Sequence, residues 1–350
     1  MTGGLSALCR FAATGRLPQP ASSAEACEIV ELARRQGLAP LLDAAVTAAG
    51  RGWPSEAMQA LRNLHRLSLS RSVQLLDAAR RVRATLAAAG LRTLPLKGIA
   101  LAELVYDSPA DRPMADADLL LLDDWGQAVA LLERSGLLVR DRAQHAWAFF
   151  DPAAGVTLEL HHGLCACPEM FPLDAEGLWA RRAGAEGDER PASADLLVQL
   201  AVHAAFQHGL VLSLVQFLDF RRVLERARPD PARVLEAAAA ARAEPCLLAA
   251  LEAAKALVAA QVDEGLLAAL RRSSPRRLLR RLERVRARPV EWLLAAPKPA
   301  ALVSWRLALV GARRLELVAR TLVPAPGGSL LRRTQQGLRR GLVLFQRSLV

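Results

Sequence analysis

The 31 residues from Leu94 to Asp124, "LPLKGIALAELVYDSPADRPMADADLLLLDD", constrain the fold of this chain more than any other stretch. Upstream, from Ala24 to about Ala89, apolar residues recur every three or four positions, as on one face of a helix. That spacing then stops. "LRTLPLKG" is a short apolar run between Gly90 and Gly98, the pattern of a strand turning at once into a helix at about Ile99–Val105. "MADADLLLL" reads as a second strand, yet it opens with Asp116 and Asp118. Side chains on a strand alternate faces, so the two carboxylates share one face about 7 Å apart. Like charges held that way raise the energy of an apolar strand unless a positive group offsets them.

The rest of the chain frames this stretch. "WGQAVALLERSG" reads as a helix closed by Gly136, "GLLVRDR" and "HAWAFFDP" as strands around a turn, and "GVTLELHHGL" as a strand after the Pro152–Gly155 turn. Together they predict a small mixed sheet with helices on one face over residues 87–180. Residues 1–86 read as helical, with Gly37, Gly50 and Gly90 at helix ends and Pro54 at a start. Beyond the polar "RRAGAEGDERPAS", residues 181–350 return to helices. These include the run "PARVLEAAAAARAEPCLLAALEAAKALVAA" and a final pair interrupted by "VPAPGGS". The expected class is α+β, a small mixed β-sheet core with helical flanks. A content of 52% hydrophobic but only 4% aromatic residues argues against an aromatic-rich β-sandwich.

Charge is uneven. Between Arg271 and Val350 there are 19 Lys and Arg against 3 Asp and Glu, a net +16, while the first 270 residues carry 27 against 32, a net −5. Codon bias would spread arginine throughout, so the basic segment 271–350 points to anionic partners, nucleic acid or an anionic membrane surface. Few aromatics accompany the arginines, which counts against single-strand stacking. The five cysteines lack paired zinc spacing, and Cys165-Ala-Cys167 is too tight for a common zinc knuckle. No basic stretch precedes an apolar core at the N-terminus, and no run of eighteen uncharged apolar residues occurs, so neither a signal peptide nor a transmembrane segment is expected. A reducing cytoplasm is the expected compartment.

A hard divalent cation between Asp116 and Asp118 removes their repulsion, and Mg²⁺ suits one or two carboxylates plus substrate phosphates. Glu159, mid-strand in "GVTLELHH", shares a face with Thr157 and His161. Three converging acids can hold two Mg²⁺ ions. Gly98 permits close backbone approach where a helix N-terminus offers free N–H groups to an anion. Lys97 and Arg112 add positive charge for a triphosphate; Arg112 equally fits a loop-holding pair with Asp107 or Asp111. His161 reads as a hydrogen-bonding partner of the acids or a packed polar residue. His203, His208 and Asp219 on later helices are candidates for the cleft, though packing and capping explain them as well.

The run from Leu94 to Leu121, followed by "LLERSGL" and "LELHHGL", resembles the uncharacterised branch of the nucleotidyltransferases of the polymerase-beta superfold. The match covers about Leu91 to Leu164, with a less distinct continuation through "AVHAAFQHG" and "LVQFLDFRRVL". The resemblance implies a short mixed sheet flanked by helices and transfer of a nucleotidyl group from a nucleoside triphosphate to an acceptor hydroxyl with two Mg²⁺ ions. It assigns Asp116 and Asp118 to the metal pair, Glu159 to the third, catalytic acid, and Gly98 to the strand-to-helix turn. Ile99 departs from the Gly or Ser usual after that glycine. The acceptor, small molecule or macromolecule, is not identified by the sequence. The alternatives are a catalytically weak nucleotide-binding or scaffold module, which Ile99 and the large helical flanks favour, and a nucleic-acid-directed enzyme using the basic C-terminal helices.

Overall fold

A computed structural model describes residues 2–311 apart from 51, 144, 166–169 and 295–298. Cys167, the "VPAPGGS" interruption and the basic residues beyond Gly311 lie outside the described residues.

The period change at Leu91 marks where helix gives way to sheet. Five strands, β1 (Thr93–Pro95), β2 (Ala117–Leu121), β3 (Leu138–Arg142), β4 (Ala146–Asp151) and β5 (Val156–His161), form one sheet in the order β1-β2-β5-β4-β3. β2 runs parallel to β5 and antiparallel to β1, and β4 is antiparallel to both β5 and β3. All five residues of β2 are buried, which is why the run is leucine on both faces. The edges are blunted: β1 is three residues long and ends in Pro95, and β3 is largely exposed with Arg140, Asp141 and Arg142. β2 is shorter at both ends than "MADADLLLL", because Asp116 lies in a bend one residue before the strand and only Thr93–Pro95 are there to pair with it on one side.

Four helices precede β1: α1 (Thr2–Thr14), α2 (Ser23–Arg35), α3 (Ala39–Ala49) and α4 (Ser55–Ala88). Ser22 caps α2 by accepting from the Glu25 N–H, and Gly37, Gly50 and Gly90 all sit at positive φ just past helix ends. α4 spans about 50 Å at ~1.5 Å per residue. α5 (Lys97–Leu104) follows β1, and α6 (Trp125–Arg134), capped by Asp124, follows β2. After the sheet come α7 (Ala175–Arg181), α8 (Ser193–Ala201), α9 (Leu214–Arg222), α10 (Pro231–Ala240), α11 (Glu244–Val258), α12 (Glu264–Ser273), α13 (Arg276–Ala287), α14 (Pro289–Leu293) and α15 (Pro299–Val310). α8 and α9 each run on into a wider turn, Val202–Gln207 and Val223–Ala227. The alanine-rich run expected as one helix is two, α10 and α11. Arg242 adopts φ +52° and Pro245 sits in the first turn of α11, where its missing N–H costs nothing.

Alternation sorts the sheet's two faces. Leu119, Leu121, Leu158 and Leu160 pack against Leu75, Ala79, Val82 and Leu86 of α4 and Ala128 and Leu132 of α6. Leu120 joins Leu94 and Leu96 in a small separate cluster on the opposite face, the face that also carries Asp118. A larger core joins both ends of the chain, with Leu8, Ile29 and Leu42 of α1–α3 beside Leu197, Phe217 and Leu251 of α8, α9 and α11. The sheet face without α4 therefore opens towards residues drawn from both helical flanks.

Candidate functional site

The parallel pairing of β2 and β5 sets Asp118 beside Glu159 and Leu120 beside His161. Strands lie about 4.8 Å apart, so the two acids and the imidazole meet on one patch of the sheet. Asp118 is buried, and its Oδ1 accepts from Lys97 Nζ at 2.5 Å and contacts His161 Nε2 at 2.8 Å. Among the described residues its Oδ2 takes no hydrogen bond. His161 Nε2 also lies 3.4 Å from Glu159 Oε2, so the ring bridges the two acids.

Lys97 opens α5 directly after the extended Leu96, and its backbone is left-handed at φ +45°. That conformation is strained for a residue with a Cβ, and strain of this kind collects at functional sites. The turn is tight for a second reason. A Cβ on Gly98 would stand 2.8 Å from both Cγ and Sδ of Met114, so the glycine lets the loop before β2 close over α5.

The charges here are strongly coupled. Burial would raise the Asp118 carboxyl, but the Lys97 ammonium and His161 overcome it and hold the group well below the usual carboxylate range. Asp116 moves the other way: burial, then the charges of Asp118 and Glu159, push it up to about 6. Glu159 is lowered, first by its His161 hydrogen bond. Burial would lower His161, yet its bonds to Asp118 and Glu159 raise it. Neighbouring His145, bonded to Gln207 at 3.1 Å, is pushed down to about 4 by burial and by the charges of His161 and Lys97.

One cavity of about 460 Å³ is lined by Lys97, Gly98, Arg112, Asp116, Asp118 and Glu159, the six residues singled out in the sequence. Its far wall comes from elsewhere. Arg34 and Arg35 enter from the end of α2 and Gly37 from just past it, His203 and His208 from the wider turn after α8 and its end, and Gln216 from α9. Nothing in the sequence marks Arg34 or Arg35, because both sit in an ordinary amphipathic helix and pair with Glu31. His203 and His208, read as either cleft or packing residues, line the cavity with rings 4.4 Å apart.

Arg112 has neither expected loop partner. Its Nε donates to both oxygens of Asp219, at 2.8 and 2.9 Å, and Nη1 donates to the Pro113 carbonyl at 2.7 Å. Asp107 pairs with Arg226 instead. Asp219 thus reaches the cavity through Arg112 and does not line it.

The donor set fits a divalent cation. One ligand atom each from Asp118, Glu159 and His161 lie within 4.8 Å of one another, a cluster that does not include Asp116, whose upward shift comes first from burial and then from the charges of Asp118 and Glu159. Among the described residues no helix is long and apolar enough to cross a membrane.

Compared with known proteins, residues 22–259 match the profile of a family described as uncharacterised nucleotidyltransferase. No curated protein matches the chain.

Proposed function

The chain belongs to this family of uncharacterised nucleotidyltransferases, and from that membership we propose that it is a Mg²⁺-dependent enzyme moving a nucleoside monophosphate from a nucleoside triphosphate onto an acceptor hydroxyl. The observation that carries the reading is the single cavity onto which Asp116, Asp118, Glu159, Lys97, Gly98 and Arg112 converge.

In this reading Asp116, Asp118 and Glu159 hold two Mg²⁺ ions. Bound there, such ions lower the pKa of an acceptor hydroxyl and neutralise charge that develops during in-line displacement. The protein's own groups do the rest. His161, close enough to join the donor set, is turned with Nε2 onto Asp118 and Glu159, and in this reading it orients those carboxylates and leaves the ions to them. Lys97 and Arg112 supply positive charge to the triphosphate and to the departing pyrophosphate. Gly98 and the start of α5 give the phosphates backbone N–H donors.

The test is nucleotide binding. Purified protein with each labelled triphosphate and Mg²⁺ is expected to bind at least one of them, and Asp116→Ala with Asp118→Ala is expected to abolish the Mg²⁺-dependent part. Unchanged binding in that variant removes the site assignment. Turnover then separates an enzyme from a nucleotide-binding module: mass spectrometry of protein, triphosphate and cell extract is expected to reveal a new nucleotidyl adduct with pyrophosphate release.

A second reading, a nucleic-acid-directed enzyme, rests on the surface of the basic C-terminal helices. Arg272, Arg276, Arg277, Arg280 and Arg284 of α12 and α13 are exposed, and among the described residues no carboxylate pairs with any of them. Surface arginines in this state are available to a polyanion.

A further inference from the structure

Asp219, on α9, is one of the most thoroughly buried charged groups in the molecule, at 1% exposure, and it lies 107 residues beyond Arg112 in sequence. It is fully used. Both oxygens take the Arg112 Nε, and Oδ1 also accepts the Tyr106 hydroxyl at 2.7 Å. Tyr106 in turn has the Arg222 guanidinium 5.5 Å from its ring centre. Arg112 is itself 8% exposed, and with Nε on Asp219 and Nη1 on Pro113, Nη2 is the nitrogen with no hydrogen-bond partner among the described residues.

The three residues sit at telling points of the chain. Tyr106 follows α5, the helix that begins with Lys97 and Gly98; Arg112 stands four residues before Asp116; Asp219 belongs to the helical flank. Stability alone does not call for this arrangement, since buried ion pairs are often matched or bettered by apolar groups of similar volume. What apolar groups cannot do is hold a guanidinium at the wall of a polar cavity in one fixed orientation. A carboxylate behind an arginine does that, and the planar fork of arginine suits phosphate oxygens.

Resting on the nucleotidyltransferase reading, we propose that Asp219, seconded by Tyr106, is a positioning residue that aims the Arg112 guanidinium at a phosphate group of the bound nucleoside triphosphate. Asp219 does not touch the nucleotide. It acts through Arg112, and α9 becomes part of the triphosphate site without lining it.

The experiment measures affinity of the full-length protein for labelled nucleoside triphosphates with Mg²⁺, in wild type, Asp219→Asn, Tyr106→Phe, Arg112→Ala and the Arg112→Ala plus Asp219→Asn double variant, each checked for a cooperative melt. Asp219→Asn is expected to weaken triphosphate affinity by about tenfold, the scale of one lost charge-assisted contact. Tyr106→Phe, which keeps the ion pair and folds without a new buried charge, is expected to weaken it about threefold. The double variant is expected to bind no more weakly than Arg112→Ala alone, because the aspartate works through the arginine. Wild-type affinity in folded Asp219→Asn and Tyr106→Phe overturns the proposal, as does a loss in the double variant equal to the product of the two single losses. A wild-type protein that binds no triphosphate instead removes the nucleotidyltransferase reading itself, and this role with it.

Discussion

Gly37 shows how one residue holds the far wall of the cavity. It sits at φ +69°, and a Cβ there would stand 2.5 Å from Val215 Cγ1 on α9. Beside it Gln36 accepts from the Leu214 N–H at 2.9 Å and the Val215 N–H reaches the Gln36 carbonyl at 3.1 Å. Gly37→Ala adds left-handed strain of about 1–2 kcal/mol and a clash on top of it. Chemical denaturation is expected to show a loss of about 2–3 kcal/mol, of which Val215→Ala in the same chain restores about 1 kcal/mol by removing the obstructing methyls; equal stability of Gly37→Ala and wild type would refute the contact. Residues of this kind differ in legibility. Asp118 and Glu159 lie opposite each other on paired strands with His161 two residues on, a placement alternation makes legible, whereas Asp116, expected on the same strand as Asp118, sits in a bend just before it. Gly37 was visible as a helix stop, but its contact with Val215 spans 178 residues and leaves no local mark. Asp219 was equally ambiguous, since a lone aspartate on a helix looks the same whether it caps, packs or backs an arginine.

Among the elements, α11 carries the clearest case of a charge used to join helices. Glu252 on α11, 2% exposed, accepts from Arg271 Nη2 at 2.6 Å and from Arg286 Nε at 2.9 Å, tying α12 and α13 to the central helix. Burial would raise this carboxyl, but the two arginines lower it below its ordinary 4.5. A group depressed on folding stabilises the protein above its unfolded pKa and loses that contribution as pH falls through the folded one. Glu252→Gln is therefore expected to cost about 2 kcal/mol near pH 7, a figure discounted because the arginine side chains keep 36% and 42% of their surface in solvent. The deficit is expected to shrink below about pH 4.5, and one that persists unchanged at pH 3 would show that charge is not the cause. At this scale the periodicity read well. Strands β1, β3, β4 and β5 and helices α2 to α6 fall where the apolar spacing and the glycines put them. The run quoted as one helical stretch breaks between Ala240 and Glu244, just before Pro245, into α10 and α11.

Across the whole molecule the acidic first 270 residues contain the cavity, and the net charge of +16 belongs to the remainder. Arg272, Arg276, Arg277, Arg280 and Arg284, exposed and without a carboxylate partner among the described residues, give the described part of that basic segment a surface suited to phosphates. If RNA is the partner, each phosphate neutralised releases counterions, and the log of the association constant is expected to fall with log salt with a slope of about −3 or steeper. Replacing Arg276, Arg277 and Arg280 by glutamine is expected to flatten that slope, and binding indifferent to salt would dismiss the RNA reading. The overall class was legible, helices around a small mixed sheet, because periodicity changes at Leu91 and again after the polar run at Arg181. What stayed hidden is the joint apolar core of α1–α3 with α8, α9 and α11, since packing partners so far apart are chosen by shape, which spacing does not encode. That core also divides support of the cavity between two kinds of structure. Asp118 and Glu159 ride on paired strands, whereas the opposing wall is borrowed from residues 34–37 and 203–216, so substitutions there are expected to reshape the cavity while leaving the strand-borne carboxylates in place.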